Sequence, residues 1–259
     1  FPNDPEGIVI LGACLRLLSQ HDDALVCFNR ALYLDGQYIP GLINRGMAFL
    51  GKGMKERCFQ DISRAHGIAP KLKSIWKTLG DLSVEFEKFG EAEKLYKKLV
   101  CADVNNGACM AAMGVCRQHL LDTISAEKLY RRAIILDPMQ TTALNNIGVI
   151  KHEMGDTDDA VNFFKEAIKK APDYVRAHIN LGNALKDKNN IEGAIYKFKD
   201  ALEIKSDIPE AYNNLGILLT SYHFTKPDKS FHDIFFYQYF FKILYKDFFK
   251  FFYLNFFDF

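Results

Sequence analysis

Seven glycines, Gly12, Gly46, Gly80, Gly114, Gly148, Gly182 and Gly216, stand 34 residues apart without a break. No other feature of the chain constrains its fold as strongly, because a fixed period imposes one local geometry on every segment that carries it. Other positions keep the same register. Twelve residues after each of the first six glycines the residue is small: Ala24, Cys58, Ala92, Ala126, Ala160 and Ala194. Four further on it is large: Phe28, Ile62, Tyr96, Tyr130, Phe164 and Phe198. Ala31, Ala65, Leu99, Ala133, Ala167 and Ala201 follow three later, and a turn or breaker residue comes five beyond those at Gly36, Pro70, Pro138, Pro172 and Ser206, with Val104 the exception.

A self-similar period between about 20 and 50 residues is the signature of a solenoid. The small, large, small trio at intervals of four and three, as in Ala160, Phe164 and Ala167, falls on one face of an α-helix. Each glycine belongs to an earlier helix with its own stripe, Leu144, Ile147 and Gly148 in one period and Trp76, Leu79 and Gly80 in another. The spacing therefore predicts two short helices per period. Small residues let their axes approach toward the low end of the usual separation of roughly 8–10 Å, and the large residues fill the gaps. Pro138 and Pro172 stop the second helix, since proline lacks the donor and restricts its predecessor.

This pattern resembles the tetratricopeptide repeat family, which places a bulky residue, a Leu-Gly pair, a small Ala, an aromatic, another Ala and a Pro at these offsets. The match is best over Thr141 to Tyr174, through Leu144, Ile147, Gly148, Ala160, Phe164, Ala167 and Pro172. The resemblance implies an all-α, right-handed α-solenoid superhelix of tandem helix-turn-helix repeats. Six full repeats are expected at 5–38, 39–72, 73–106, 107–140, 141–174 and 175–208, then the first helix of a truncated seventh at 209–221. It implies a scaffold that binds a protein or peptide partner in the concave groove and carries no chemistry of its own; the architecture hosts many partners and names none.

Composition agrees. At 49% hydrophobic and 25% charged residues the chain can bury apolar stripes between neighbouring repeats rather than around one centre. A formal net charge of +1 gives no reason to expect a nucleic-acid or membrane partner. The six cysteines form no C-x-x-C pair, and Cys58 stands where other repeats have alanine, a usage that suits a reducing compartment. We therefore expect a cytoplasmic location, with nuclear and ciliary ones open. Cys109, Cys116 and His119 lie near one face of a predicted helix and raise the possibility of metal ligation, but a zinc site wants a fourth ligand and compact pairs, so packing is the expected role and no metal or cofactor is assigned. Gly51-Lys52-Gly53 lacks the strand and downstream residues of a phosphate-binding loop, and the seven histidines are scattered. No catalytic residue is expected.

Binding is expected on the exposed face of the first helices. Two positions before the glycines stand Ile10, Asn44, Thr78, Ala112, Asn146, Asn180 and Asn214. A carboxamide both donates and accepts, so stacked asparagines can hold the backbone of an extended peptide without reading its side chains. The row resembles the asparagine ladder in the repeat arm of O-GlcNAc transferase-type glycosyltransferases, which leaves open that the chain is the recognition arm of a larger enzyme. The alternative is that asparagine recurs because it tolerates a position near a helix contact and bonds only to neighbouring side chains. Further groove candidates are Lys77, Asp81, Asn145, His152, Asn183, Lys186 and Asn213. The clamp with which a co-chaperone of this family grips acidic tails needs lysines that this chain replaces with Ala108, Ile179 and Glu210, so chaperone-tail binding is disfavoured.

Two stretches depart from the register. The third repeat loses its closing Ala and Pro to Leu99 and Val104, which predicts a looser junction around Asp103 to Gly107. After Ser221 the pattern collapses, and residues 231–259 contain 16 aromatics interrupted by Lys242, Lys246, Asp247 and Lys250, which leaves no uncharged run near the roughly 20 residues a membrane span needs. The tail, 222–259, is expected not to be native globular structure but translated noncoding sequence, with more repeats in the authentic chain, and the Phe1 start is expected to lack the native N-terminus. The Tyr212, Leu215 and Leu219 stripe would then be uncovered. On expression, the full chain should aggregate while a chain ending near Ser206 stays soluble; equal monomer fractions by size-exclusion chromatography would count against this reading of the tail.

Overall fold

The computed structural model describes residues 4–225. They form α1 (Pro5–Leu17), α2 (His21–Leu34), α3 (Ile39–Gly51), α4 (Lys55–Ile68), a short 3-10 turn (Lys73–Ile75) running into α5 (Trp76–Glu85), α6 (Phe89–Ala102), α7 (Gly107–His119), α8 (Thr123–Leu136), α9 (Thr141–Glu153), α10 (Thr157–Lys170), α11 (Val175–Asp187), α12 (Ile191–Ile204) and α13 (Pro209–Thr225). No strand occurs among the described residues. Two compact units divide between Asp137 and Pro138, so α1–α8 lie in the first and α9–α13 in the second. Within each unit the helices pack sequentially, each on its chain neighbour, as an all-α solenoid. The expectations that concern residues 226–259 lie outside the described residues.

The glycine period marks the closest approach within each helix pair. A methyl carbon placed on Gly148 would lie 2.5 Å from Phe164 Cε1, one on Gly114 2.6 Å from Tyr130 Cε1, and one on Gly182 2.8 Å from Phe198 Cε1. Gly12 meets Phe28 in the same way at 2.6 Å, Gly80 meets Tyr96 at 3.0 Å, and at Gly46 the thinner Ile62 leaves 3.1 Å. Any larger residue would drive the ring out of a buried slot: Phe28, Tyr130 and Phe198 have no exposed surface and Phe164 has 1%. The small residues flanking each ring, such as Ala160 and Ala167, are fully buried as well.

A second period appears at the turn inside each repeat. Ser19, Gly53, Glu87, Leu121, Gly155 and Asn189 all adopt a left-handed backbone, with φ between 57° and 87°. Each is followed by an amide that reaches back five residues to the end of the first helix: Gln20 to Leu15, Met54 to Phe49, Lys88 to Ser83, Asp122 to Arg117, Asp156 to Lys151 and Asn190 to Leu185. These bonds satisfy helix-end carbonyls that would otherwise lack donors, and they fix the angle at which the second helix returns. Residue identity at the left-handed position varies, so the sequence pattern did not reveal it.

The core is a succession of small clusters. One joins Leu42, Ile62, Ile75, Trp76 and Leu95 across α3–α6, and another joins Ile195, Phe198, Leu202, Leu215 and Leu219 across α12 and α13. Two expectations need correction. The junction between the third and fourth repeats is packed: Leu99 and Val100 of α6 and Ala112 and Met113 of α7 all lie against one buried cluster, which Ala92 and Tyr96 of α6 share with Cys109 and Cys116 of α7. The division of the chain falls one repeat later, at Asp137 and Pro138. On α13, Leu215, Leu218 and Leu219 are buried in a cluster with Ile195, Phe198 and Leu202 of α12, and Tyr212 is half-buried. The helix itself reaches Thr225 rather than Ser221, as no glycine or proline intervenes between Gly216 and Pro227 to stop it.

Leu121 holds its left-handed φ of 63° with 89% of its surface exposed, so its side chain gains nothing from burial. Leu121→Gly should therefore stabilise the protein by about 1 kcal/mol, the usual penalty for a Cβ in this conformation. Urea denaturation checks it: a higher midpoint is expected, and a lower one would mean that the left-handed turn is not strained.

Candidate functional site

The residues nominated from sequence separate into the two units. In the second unit, α9, α11 and α13 carry Asn145, Asn146, His152, Asn180, Asn183, Lys186, Asn213 and Asn214. A residue two positions before the glycine is turned roughly 200° from it around the helix, at about 100° per residue, and so faces away from the partner helix. The asparagines are joined to one another. Asn180 Nδ2 donates to Asn145 Oδ1 of the preceding repeat at 2.8 Å, and Asn145 Nδ2 donates to Asn146 Oδ1 at 3.1 Å. One repeat on, Asn214 Nδ2 donates to Asn183 Oδ1 at 3.2 Å, and Asn183 Nδ2 reaches Glu210 Oε1 at 3.4 Å.

This geometry sorts the candidates. Asn145 is 3% exposed and brackets successive repeats through its bond with Asn180. Asn146, Asn180, Asn183 and Asn214 are half-buried, Asn213 is exposed and Lys186 half-buried. In these bonds Asn180 and Asn214 each use one N–H, and a carboxamide has a second N–H and a carbonyl oxygen besides. His152 Nε2 lies 2.9 Å from Asp187 Oδ2, a link between α9 and α11 that the sequence reading did not include. Ion pairing with Asp187 orients the imidazole when it is protonated.

The first-unit candidates are not part of this row. Asn44 Nδ2 donates to Pro40 O of its own helix at 2.9 Å. Lys77 Nζ pairs with Asp81 Oδ2 one turn away at 2.7 Å, and Asp81 Oδ1 also accepts from Tyr96 O–H at 2.7 Å. Arg45, one residue before Gly46, makes a two-pronged bond to the buried Asp61, with both distances 2.7 Å, and reaches Asn29 at 2.9 Å, tying α2, α3 and α4 together.

Cys109 and Cys116 are buried, and burial together with the nearby Glu93 carboxylate pushes the Cys116 thiol up to about 11; burial likewise raises Cys58 to about 11. His119 stacks on Phe89 with ring centroids 4.2 Å apart. No group of three metal-ligating side chains comes together among the described residues, and no described helix is long and apolar enough to cross a membrane.

Paired helices closed by glycine–aromatic contacts, repeated in tandem, define a helical-repeat fold, and known proteins share it. The TPR repeat profile matches residues 150–188 and 182–220. Tetratricopeptide repeat protein 14 of Mus musculus is 30% identical over 102 residues, 37% of this chain and 13% of that protein; outer envelope protein 61 of Arabidopsis thaliana is 28% identical over 87 residues, 31% of this chain and 16% of that protein. The matched segments thus span only a small part of these relatives. A solved tetratricopeptide repeat protein from Parabacteroides merdae superimposes with a TM-score of 0.65 at 16% identity, covering 84% of this chain and 85% of its own. Residues 150–220 are tetratricopeptide repeats, and the chain shares the fold of solved tetratricopeptide-repeat proteins.

Asn145→Ala removes the acceptor of Asn180 and the donor to Asn146 together. It should destabilise the protein by about 1–3 kcal/mol. In a double-mutant cycle with Asn180→Ala the coupling should exceed about 0.5 kcal/mol; strict additivity in urea melts would show that the carboxamide link carries no energy.

Proposed function

We propose that the second unit binds an extended peptide segment of a protein partner along the row Asn146, Asn180 and Asn214, flanked by Asn183, Asn213, Lys186 and His152, and that the protein acts as a scaffold without chemistry of its own. The carrying observation is the pair of cross-repeat carboxamide bonds, Asn180 to Asn145 and Asn214 to Asn183. They orient the Asn180 and Asn214 side chains before a partner arrives, which lowers the entropy lost on binding. An extended chain presents an N–H and a C=O at each residue, and carboxamides complement both without selecting a side chain. Lys186 and the His152–Asp187 pair add mixed charge on α9 and α11, where selectivity for the partner's side chains would arise.

The consecutive run Asn146, Asn180 and Asn214 also suits a recognition arm of the O-GlcNAc transferase kind within a longer chain. A nucleotide-sugar-binding α/β domain encoded downstream would favour that reading, and further repeats the scaffold.

Asn146→Ala/Asn180→Ala/Asn214→Ala should lower recovery of specific partners at least about tenfold, a loss of only about 1.4 kcal/mol in binding. Quantitative mass spectrometry after affinity capture reads this, with a urea melt to confirm that the variant is folded. Unchanged recovery by a folded variant would remove the row from the binding site.

A further inference from the structure

A second feature lies in the first unit, away from the asparagine row in sequence and independent of it. A cavity of about 290 Å³ opens between α4, α5 and α6, with Ser63 and His66 on α4, Ser83 on α5 and Lys94 and Lys98 on α6 among its walls. Its size is at the lower end of the roughly 300–1,000 Å³ of small-molecule sites, which suits one compact group. Beside it a shallower recess of about 660 Å³ shares Lys94 and Lys98 and adds Lys73, Lys97 and Trp76.

Three observations give this cavity a chemical character. Ser83 Oγ has no hydrogen-bond partner although the residue is only 1% exposed, and a buried hydroxyl left so costs about 1–3 kcal/mol. His66 Nδ1 is likewise buried without a partner. Burial and the charge of Lys98 hold the His66 imidazole below its ordinary value, so it is neutral at neutral pH and can donate from Nδ1. Four lysines gather around the two lobes against one lining carboxylate, Glu91, and neither Lys94 nor Lys98 forms an ion pair among the described residues. The Lys98 ammonium instead rests 5.4 Å from the Trp76 ring centroid.

We propose that this cavity receives the phosphate monoester of a phosphorylated serine or threonine in a partner peptide. The phosphate oxygens accept from Ser83 O–H and His66 Nδ1–H and pair with Lys94 and Lys98, which supplies the acceptors these groups lack. The peptide flanking the phosphate lies over the adjoining recess, against Trp76 and the aliphatic stems of Lys97 and Lys98. A nucleic acid fits the same observations less well, because the lysines surround one cavity rather than following a strand, and the chain's formal net charge is only +1.

The probe is a fluorescein-labelled peptide pool with a fixed central phosphoserine and random flanks, titrated against the full chain by anisotropy, beside the same pool without phosphate. The phosphorylated pool should bind at least about tenfold more tightly, and Lys94→Ala/Lys98→Ala should abolish that preference. Ser83→Ala should weaken the phosphorylated pool alone, by about three- to tenfold, without lowering the urea midpoint, because the hydroxyl it removes has no partner in the free protein. The Asn146→Ala/Asn180→Ala/Asn214→Ala variant should keep the preference, which separates this site from the asparagine row. Equal binding of the two pools, or a preference that survives Lys94→Ala/Lys98→Ala, overturns the proposal. So does Lys94- and Lys98-dependent binding to phosphatidylcholine vesicles carrying phosphatidylinositol 4-phosphate without binding of the phosphopeptide pool, which would make the phosphate that of a lipid.

Discussion

The contact between a glycine on one helix and a ring on the next governs how each repeat is built. At Gly148 the ring of Phe164 stands where a Cβ would be, and the same substitution of ring for side chain recurs at Gly12, Gly80, Gly114 and Gly182. Close approach of the two helices buries the ring completely, and the alanines on either side of it are small because the same approach leaves them no room. Once the pair is closed, the outer faces of its helices are free to pack on the next pair, and a string of small cores replaces a single centre. Isoleucine at position 62 shows the tolerance of the device, since Gly46 keeps a 3.1 Å contact with a branched aliphatic side chain in place of a ring.

Regular packing also explains the asparagines. Helices packed in tandem bring side chains of successive repeats within hydrogen-bond reach, so Asn180 reaches Asn145 and Asn214 reaches Asn183. The two links use different positions of the preceding helix, one buried and one half-buried, so the row is braced but is not a strict ladder. Binding to neighbours and binding to a partner, which the sequence presented as alternatives, are compatible in a group with two donors and two lone pairs.

The helix pairs were legible in the sequence because glycine, alanine and aromatic residues answer to a steric requirement that few others meet. The turn was not, for the opposite reason: Ser19, Glu87, Leu121 and Asn189 share a left-handed backbone with two glycines, and that conformation costs too little to exclude other residues. The predicted looseness at Asp103 to Gly107 treated each departure from the pattern as damage, whereas Leu99 packs on the buried cluster that α6 shares with α7. Of the site, the asparagine positions could be read, but not that Asn145 is buried or that Lys77 is paired with Asp81. The cavity lined by Ser83, His66, Lys94 and Lys98 gave one signal, lysines at successive turns of α6, and its other members come from helices whose juxtaposition only the fold supplies.

If the glycine and the ring form one steric unit, their substitutions must compensate. The decisive measurement is a double-mutant cycle in urea denaturation with Gly148→Ala and Phe164→Leu. Alone, each should destabilise by about 1–3 kcal/mol, by overpacking and by loss of the ring. Together, they should cost less than the sum by at least about 1 kcal/mol, because the smaller leucine makes room for the added methyl. An additive pair would contradict the claim that the glycine period exists to seat the aromatic side chains.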